Sequence, residues 1–500
     1  MYIKRKGYIM FKKLLLLFMF SIVSLQATAP TQDNVAKLYV ATFDRAPDTA
    51  GLAYWVGSGL TLEHIAKSFF EQPETQSLYP SDTSSKVFVE SIYSNLFNRT
   101  VDQAGLDYWV EEIDSGNIEK SVFILSVIHG ALGDDAIILT NKTTIGLAFA
   151  NAGYSSVTFA KSIMYGVSGS SASVEEALQS IENKRISTLL KGVKITTWMY
   201  QIQGLEERSA IDLLGETTYD MLVVEPGHNF KEFPYDTSYL ISKLKQKASG
   251  QKRMLLAYID IGQAEDWRSY WSDDWIAPTT TEPGTPDFLV TIDPDGWSGN
   301  YPVAYWDTQW QDIWLGTDGI IKQLATYGFD GVYLDWVEAY DDDKVRELAI
   351  SQGINPENTM ISFIEKIKNI GKSINPDFVI ISQNAPYLLD YDPVYYTSVT
   401  DAIATEDTWF YGKGDAEWDD PNAGDLSGDE RQGDDYSTAN RIAQNKKYLN
   451  LGIPVFTVDY CISHSNAEMT YANAHNNEFI PLVTRVSLSR ITETPPELIH

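Results

Sequence analysis

The chain has 500 residues, 44% of them hydrophobic and 12% aromatic, which suffices for two ordinary domains or one large barrel with an appendage and excludes a fibrous or disordered chain. Lys and Arg number 38 against 68 Asp and Glu, a formal net charge of −30, so the surface repels phosphate backbones and anionic lipid heads, and nucleic acid is a poor partner. The one cysteine, Cys461, excludes an intramolecular disulfide and a cysteine-rich metal site.

Residues 1–29 read as an export signal. Lys4, Arg5, Lys6, Lys12 and Lys13 precede the apolar run Leu14–Leu25, and the small residues Ala27 and Ala29 follow. The run is too short for a comfortable membrane span. The expectation is therefore a cleaved signal and a mature chain that is secreted, periplasmic or extracellular, without membrane insertion.

An internal repeat follows. LYVATFDRAPDTAGLAYWV (Leu38–Val56) aligns with IYSNLFNRTVDQAGLDYWV (Ile92–Val110) at a constant offset of 54 residues, pairing Arg45 with Arg99, Asp48 with Asp102, Tyr54 with Tyr108 and Trp55 with Trp109. Each unit reads as a helix ending near the Arg, an Asp-capped turn, a short helix carrying Tyr-Trp, and a further helix such as Leu60–Phe70 or Ile118–Ile128. Residues 30–153 are thus an expected all-α module. The pattern FxRxPDxxGLxYW at Phe43–Trp55, and more loosely at Phe97–Trp109, resembles the domain of unknown function family 4214, and the likeness extends to about Gly153. That resemblance implies export and a role in cell-surface or matrix attachment. The repeated residues serve as caps and core, or the paired tryptophans form a sugar-binding platform. Residues 154–190 read as linker and helix, the linker opening at Gly166–Ser173.

From 191 to 500 the rhythm is strand and helix in alternation. Short apolar runs at Thr196–Tyr200, Met221–Val224, Met254–Ile261, Gly331–Val337, Val379–Gln383, Ala402–Thr405, Pro454–Val458 and Ile480–Arg485 are separated mostly by helical stretches. Eight strands in this length fit one (β/α)8 TIM barrel, giving a multidomain chain of an all-α repeat module and an α/β barrel. In such a barrel the working residues end the strands, and here those ends are carboxylates: Glu225; Asp260, Glu265 and Asp266; Asp335 and Glu338; Glu406 and Asp407; Asp459. No basic residue stands among these tips. HExxH, GxSxG and Walker patterns are missing and the six histidines lack ligand spacing, so neither metal nor cofactor is expected. Glycoside hydrolysis is the commonest chemistry that needs carboxylates alone.

LLAYIDIGQAEDWRSYW (Leu255–Trp271), DPDGWSGNYPVAYWDTQWQ (Asp293–Gln311), YGFDGVYLDWVEAY (Tyr327–Tyr340) and SQNAPYLL (Ser382–Leu389) resemble, in order and spacing, the signature segments of glycoside hydrolase family 114, endo-α-1,4-polygalactosaminidases and their relatives. The commoner pattern has a serine and a glutamate where this chain has Asp260 and Gln263. The resemblance implies a barrel that cuts α-1,4 chains containing galactosamine, with Asp335 and Glu406 as the catalytic pair.

The residues themselves agree. Asp335 ends an apolar strand and is held at a rigid rim, as a nucleophile should be; Glu406 precedes Trp409, Phe410 and Tyr411, surroundings that suit a proton donor. Expected substrate contacts are Tyr258, Asp260, Glu265, Asp266 and Glu338 for hydroxyls or an amine, Tyr305 and Trp306 for sugar faces, and Gln383, Asn384 and Asp459 at further strand ends. The acidic loop Asp415–Asp435 reads as a solvated lid, with a calcium site or an attractor of cationic chains as alternatives. The expected partner is an amino-sugar polysaccharide. The competing function is a binding or matrix protein that retains the barrel without turnover.

Overall fold

The computed structural model describes residues 30–227, 236–428 and 436–494; the expected export signal and residues 429–435 of the acidic loop lie outside the described residues. Two compact units emerge, one of Met1–Ser155 with Ile163–Ile181 and one of Ser156–Ser162 with Glu182–His500.

In the first unit every described element is helical, and the sequence repeat is a structural one. Asp48 caps helix Thr49–Val56 by accepting from Gly51 N–H at 2.8 Å, and Asp102 caps Gln103–Asp114 by accepting from Gly105 N–H at 2.9 Å. Arg45 forks onto Glu74 through two 2.8 Å hydrogen bonds, and its guanidinium lies 4.9 Å from the Tyr39 ring and 5.2 Å from Phe43. Arg99 forks onto Asp135 at 2.8 and 2.6 Å, 5.3 Å from Tyr93 and 5.7 Å from Phe97. Trp55 packs on Phe69 and Trp109 on Phe123, with ring centroids 5.2 and 5.0 Å apart. Trp55, only 9% exposed, therefore faces inward and Trp109 is half-buried against Phe123, which favours core over a sugar platform. Gly166–Ser173 leads at once into helix Ser171–Glu182, whose Ala177 and Ile181 are buried. Ser156–Ser162 instead belong with the second unit, where the Ser162 hydroxyl donates to the Ser187 carbonyl at 2.8 Å. No single helix among the described residues is long and apolar enough to cross a membrane.

The second unit is the barrel. Its strands are β1 (Trp198–Gln201), β2 (Met221–Val224), β3 (Met254–Asp260), β4 (Gly331–Asp335), β5 (Val379–Gln383), β6 (Ala402–Glu406), β7 (Val455–Tyr460) and β8 (Ile480–Thr484), all parallel and paired in chain order. Nearly every strand residue is buried, because helices cover the outside and side chains fill the inside. The sheet is nearly closed, with the Trp198 indole of β1 donating to the Ile480 carbonyl of β8 at 3.1 Å. Trp198, Tyr200, Tyr333 and Phe456 stack inside it with centroids 5.0 to 6.2 Å apart in successive pairs. Gly328, at φ 108°, closes helix Ile320–Tyr327 and turns the chain into β4.

Candidate active site

Asp260 and Asp335 are register partners at the tips of β3 and β4, and Glu406 ends β6, one strand further round than β5. Asp335 Oδ2 accepts from the Tyr258 hydroxyl at 2.7 Å and Oδ1 from Trp336 N–H at 2.8 Å. Burial, and next the charge of Glu406, push the Asp335 carboxyl up to about 7. Glu406 is held on both oxygens: Asn384 Nδ2 donates to Oε2 at 2.7 Å and the Tyr460 hydroxyl to Oε1. Its N–H donates to Asn384 Oδ1 at 2.8 Å, and Arg441 donates to its carbonyl. Two carboxyls thus end alternate strands of the rim, each accepting from a tyrosine hydroxyl, an arrangement that can serve acid/base or nucleophile/acid chemistry.

The remaining expected site residues divide. Tyr258 touches Asp335 directly, and Asn384 serves Glu406 instead of bridging sugar hydroxyls. Asp260 is 1% exposed, with Oδ1 accepting from Gly262 and Gln263 N–H at 3.0 and 2.7 Å and Oδ2 unpartnered among the described residues. Burial, then the charge of Asp335, raises its carboxyl well above the usual range. Half-buried Glu338, on the turn Val337–Tyr340 just past β4, also has a buried unpartnered oxygen, and burial with Asp335 raises it too. Gln383 lies inside the barrel, accepting from Tyr200 at 3.3 Å. Asp266 is exposed and accepts from Tyr301 at 3.2 Å. Half-buried Trp306 donates to Gln352 at 2.8 Å.

Three expected contacts are used up by the protein itself. Tyr305 is wholly buried and donates to the Pro356 carbonyl at 2.7 Å, because the long connection before β4 folds around its own aromatic core with Phe288 and Trp310. Asp459 is wholly buried, accepting from Trp409 and Phe410 N–H at 2.6 and 3.0 Å. Glu265 is 4% exposed and pairs with Arg268 at 2.6 Å. The same Arg268 reaches Glu225 at 2.7 Å, so the strand tips do carry a neutralising cation, contrary to expectation. Arg268 stands in the DWR segment after β3, but only the fold brings it to Glu225.

The described part of the acidic loop, 415–428, is anchored. Trp418 is 2% exposed between Arg485 and Arg490, and Asp425 accepts from Ser463 N–H at 2.8 Å. Among the described residues no three His, Cys, Asp or Glu side chains converge to hold a metal ion.

A parallel barrel with a pair of carboxylates on its C-terminal rim fits the class of hydrolases that work through carboxylates. The chain belongs to the glycoside-hydrolase family GH114, whose family model matches residues 183–499, and it is a glycoside hydrolase. The model for the domain of unknown function DUF4214 matches residues 66–130, which include the second copy of the repeated motif. An uncharacterized protein from Deinococcus radiodurans is 31% identical over 300 residues, 60% of this chain and 83% of that one. Aspergillus fumigatus Ega3, solved in complex with galactosamine, is 16% identical, covering 60% of this chain and 94% of that chain at a TM-score of 0.41. The glycoside hydrolase domain of PelA from Pseudomonas aeruginosa is 14% identical, covering 60% and 98% at a TM-score of 0.40.

Proposed function

We propose that this chain is an exported, endo-acting hydrolase of α-1,4-linked galactosamine-containing polysaccharide that retains anomeric configuration, its helical unit serving attachment to the cell surface or matrix. The observation that carries the chemistry is that β4 and β6 end in Asp335 and Glu406, each accepting from a tyrosine hydroxyl, with the charge of Glu406 acting on Asp335; the substrate follows from the family and its signature segments. Asp335 attacks the anomeric carbon while Glu406 passes a proton to the departing glycosidic oxygen. Glu406 then takes a proton from water, whose oxygen displaces Asp335 from the glycosyl ester. Retention calls for carboxyls roughly 5 to 5.5 Å apart.

One observation favours exchanged roles: a carboxyl pushed up to about 7 keeps its proton near neutrality, as Asp335 would need to do as the acid. Reducing ends released from partly deacetylated α-1,4-galactosamine polymer, with the anomer of the first product read by NMR, test both activity and stereochemistry. No release would refute the substrate; an inverted first product would refute the covalent step.

A further inference from the structure

Strands β4, β5 and β6 each hand over to a residue in the left-handed region: Trp336 at φ 52°, Asn384 at φ 54° and Asp407 at φ 56°. Asn and Asp enter that region readily, because short polar side chains bond locally; a bulky aromatic enters it only against steric resistance. Asn384 uses the conformation to exchange hydrogen bonds with Glu406, and Asp407 N–H donates to the Val458 carbonyl at 2.9 Å. The backbone of Trp336 is similarly occupied, its N–H on Asp335 and its carbonyl accepting from Ala339 N–H at 3.1 Å. Its side chain is not. Trp336 follows Asp335 directly in the chain and is half-buried, yet its Nε1–H has no acceptor and its ring no aromatic or cationic neighbour among the described residues.

The fold also makes room for this strained residue. Gly262, in the turn after β3, lies directly against it, since a Cβ there would stand 2.1 Å from the Trp336 carbonyl oxygen and 2.9 Å from its Cβ. A conformation that costs energy, that a glycine accommodates, and that no hydrogen bond, aromatic or cationic contact of the side chain among the described residues offsets points to a ligand.

We infer that Trp336 is the platform on which the sugar bound against Asp335 stacks, and so a specificity-determining residue for the apolar face of that ring. The identity of the sugar rests on the function proposed above. A galacto-configured ring has an axial O4, which gathers C–H groups at C3, C4 and C5 on one face; an indole face accepts that patch, and the idle Nε1–H is left to donate to a hydroxyl. An ammonium at C2 polarises the same C–H groups and strengthens the contact.

The test compares full-length Asp335→Asn protein, which holds substrate without turning it over, with the same protein carrying Trp336→Asn or Trp336→Phe, titrated by calorimetry with galactosamine oligosaccharide and with a neutral α-1,4-galactose oligosaccharide. Asn keeps the left-handed backbone without the ring, so Tm should be unchanged or higher while affinity falls about tenfold or more. Phe should restore most of it. In otherwise wild-type enzyme the loss should appear in KM more than in kcat. Undiminished affinity in the Asn variant would overturn the platform, as would a fall in Tm that Phe reverses with affinity unchanged, because the ring would then be a structural prop. Binding of only the neutral sugar, still lost with Asn, would overturn the amino-sugar substrate and keep the platform; binding of neither by the Asp335→Asn protein would overturn both.

Discussion

Asn384 and Glu406 exchange two hydrogen bonds, amide to Oε2 at 2.7 Å and Glu406 N–H to Oδ1 at 2.8 Å, so the residue that ends β5 aims the carboxylate that ends β6. The left-handed φ of Asn384 allows one side chain to serve both the backbone and the carboxylate of its neighbour. Asn384→Ala should therefore leave KM nearly constant and lower kcat about a hundredfold, the scale expected when a reacting group is misplaced by an ångström. Asp335→Asn should abolish turnover without loss of Tm. Glu406→Gln should lose most activity but keep more on substrates with good leaving groups, and azide should partly rescue Glu406→Ala by attacking the glycosyl-enzyme. Azide rescue at Asp335 instead of Glu406 would exchange the two roles.

Asp459 is a cost of the barrel at high pH. Burial pushes its carboxyl from the ordinary 3.8 up to about 7, and only the two backbone N–H groups of Trp409 and Phe410 oppose that strongly. A raised folded-state value means stability present below the unfolded value and lost as pH climbs through about 7. Asp459→Asn keeps an acceptor for the two N–H groups and carries no charge, so its unfolding free energy should exceed the parent's increasingly from about pH 4 to pH 7 and by a constant amount above, on the order of 2–4 kcal/mol, with Tm following the same course. A Tm difference that does not change with pH would show that Asp459 does not titrate there.

The helical unit offers a matched pair of arginines. Arg45 and Arg99 make the same fork and the same stacking, but the Arg45 side chain is 7% exposed and that of Arg99 is 43% exposed. Solvent screens the second ion pair and not the first, so Arg45→Gln should destabilise the unit by about 2–4 kcal/mol and Arg99→Gln by less than about 1 kcal/mol. Equal losses in chemical denaturation would mean that aromatic stacking, common to both sites, outweighs burial.

Much of this was legible in the sequence. Strand positions followed from apolar runs that end in carboxylates, and the repeat from two tryptophans at one spacing, because both depend on residues near one another in the chain. That Asp335 and Glu406 stand at strand ends was legible for the same reason, whereas their selection as a pair came from the family signature. What escaped depends on distant segments. Arg268 meets Glu225 across 43 positions, Tyr460 meets Glu406 across 54, and no pattern announces that Trp336 turns left-handed. Tyr305 looked like a sugar-facing aromatic in a long loop, and is instead core, because that loop is long enough to bury aromatics of its own.

The charge of the cleft sets the last expectation. With Glu225 and Glu265 paired to buried Arg268, and Asp260 sealed at 1% exposure with its carboxyl held toward the neutral form, the tip residues of β2 and β3 are not the ones that draw in a cation. Asp266 is exposed on the same segment, and its carboxylate accepts from the Tyr301 hydroxyl at 3.2 Å with no cation paired to it among the described residues. Deacetylated polymer should then be cleaved in preference to fully acetylated polymer, with KM rising as salt shortens the Debye length from about 10 Å at 0.1 M to about 3 Å at 1 M. Asp266→Asn should flatten that salt dependence while kcat stays near the parent value. Asp260→Asn should leave the salt slope intact, since a sealed carboxyl raised toward its neutral form by burial adds little to the long-range field. Equal cleavage of both polymers at every ionic strength would show that the net charge of −30 serves solubility and that the barrel recognises its sugar by shape alone.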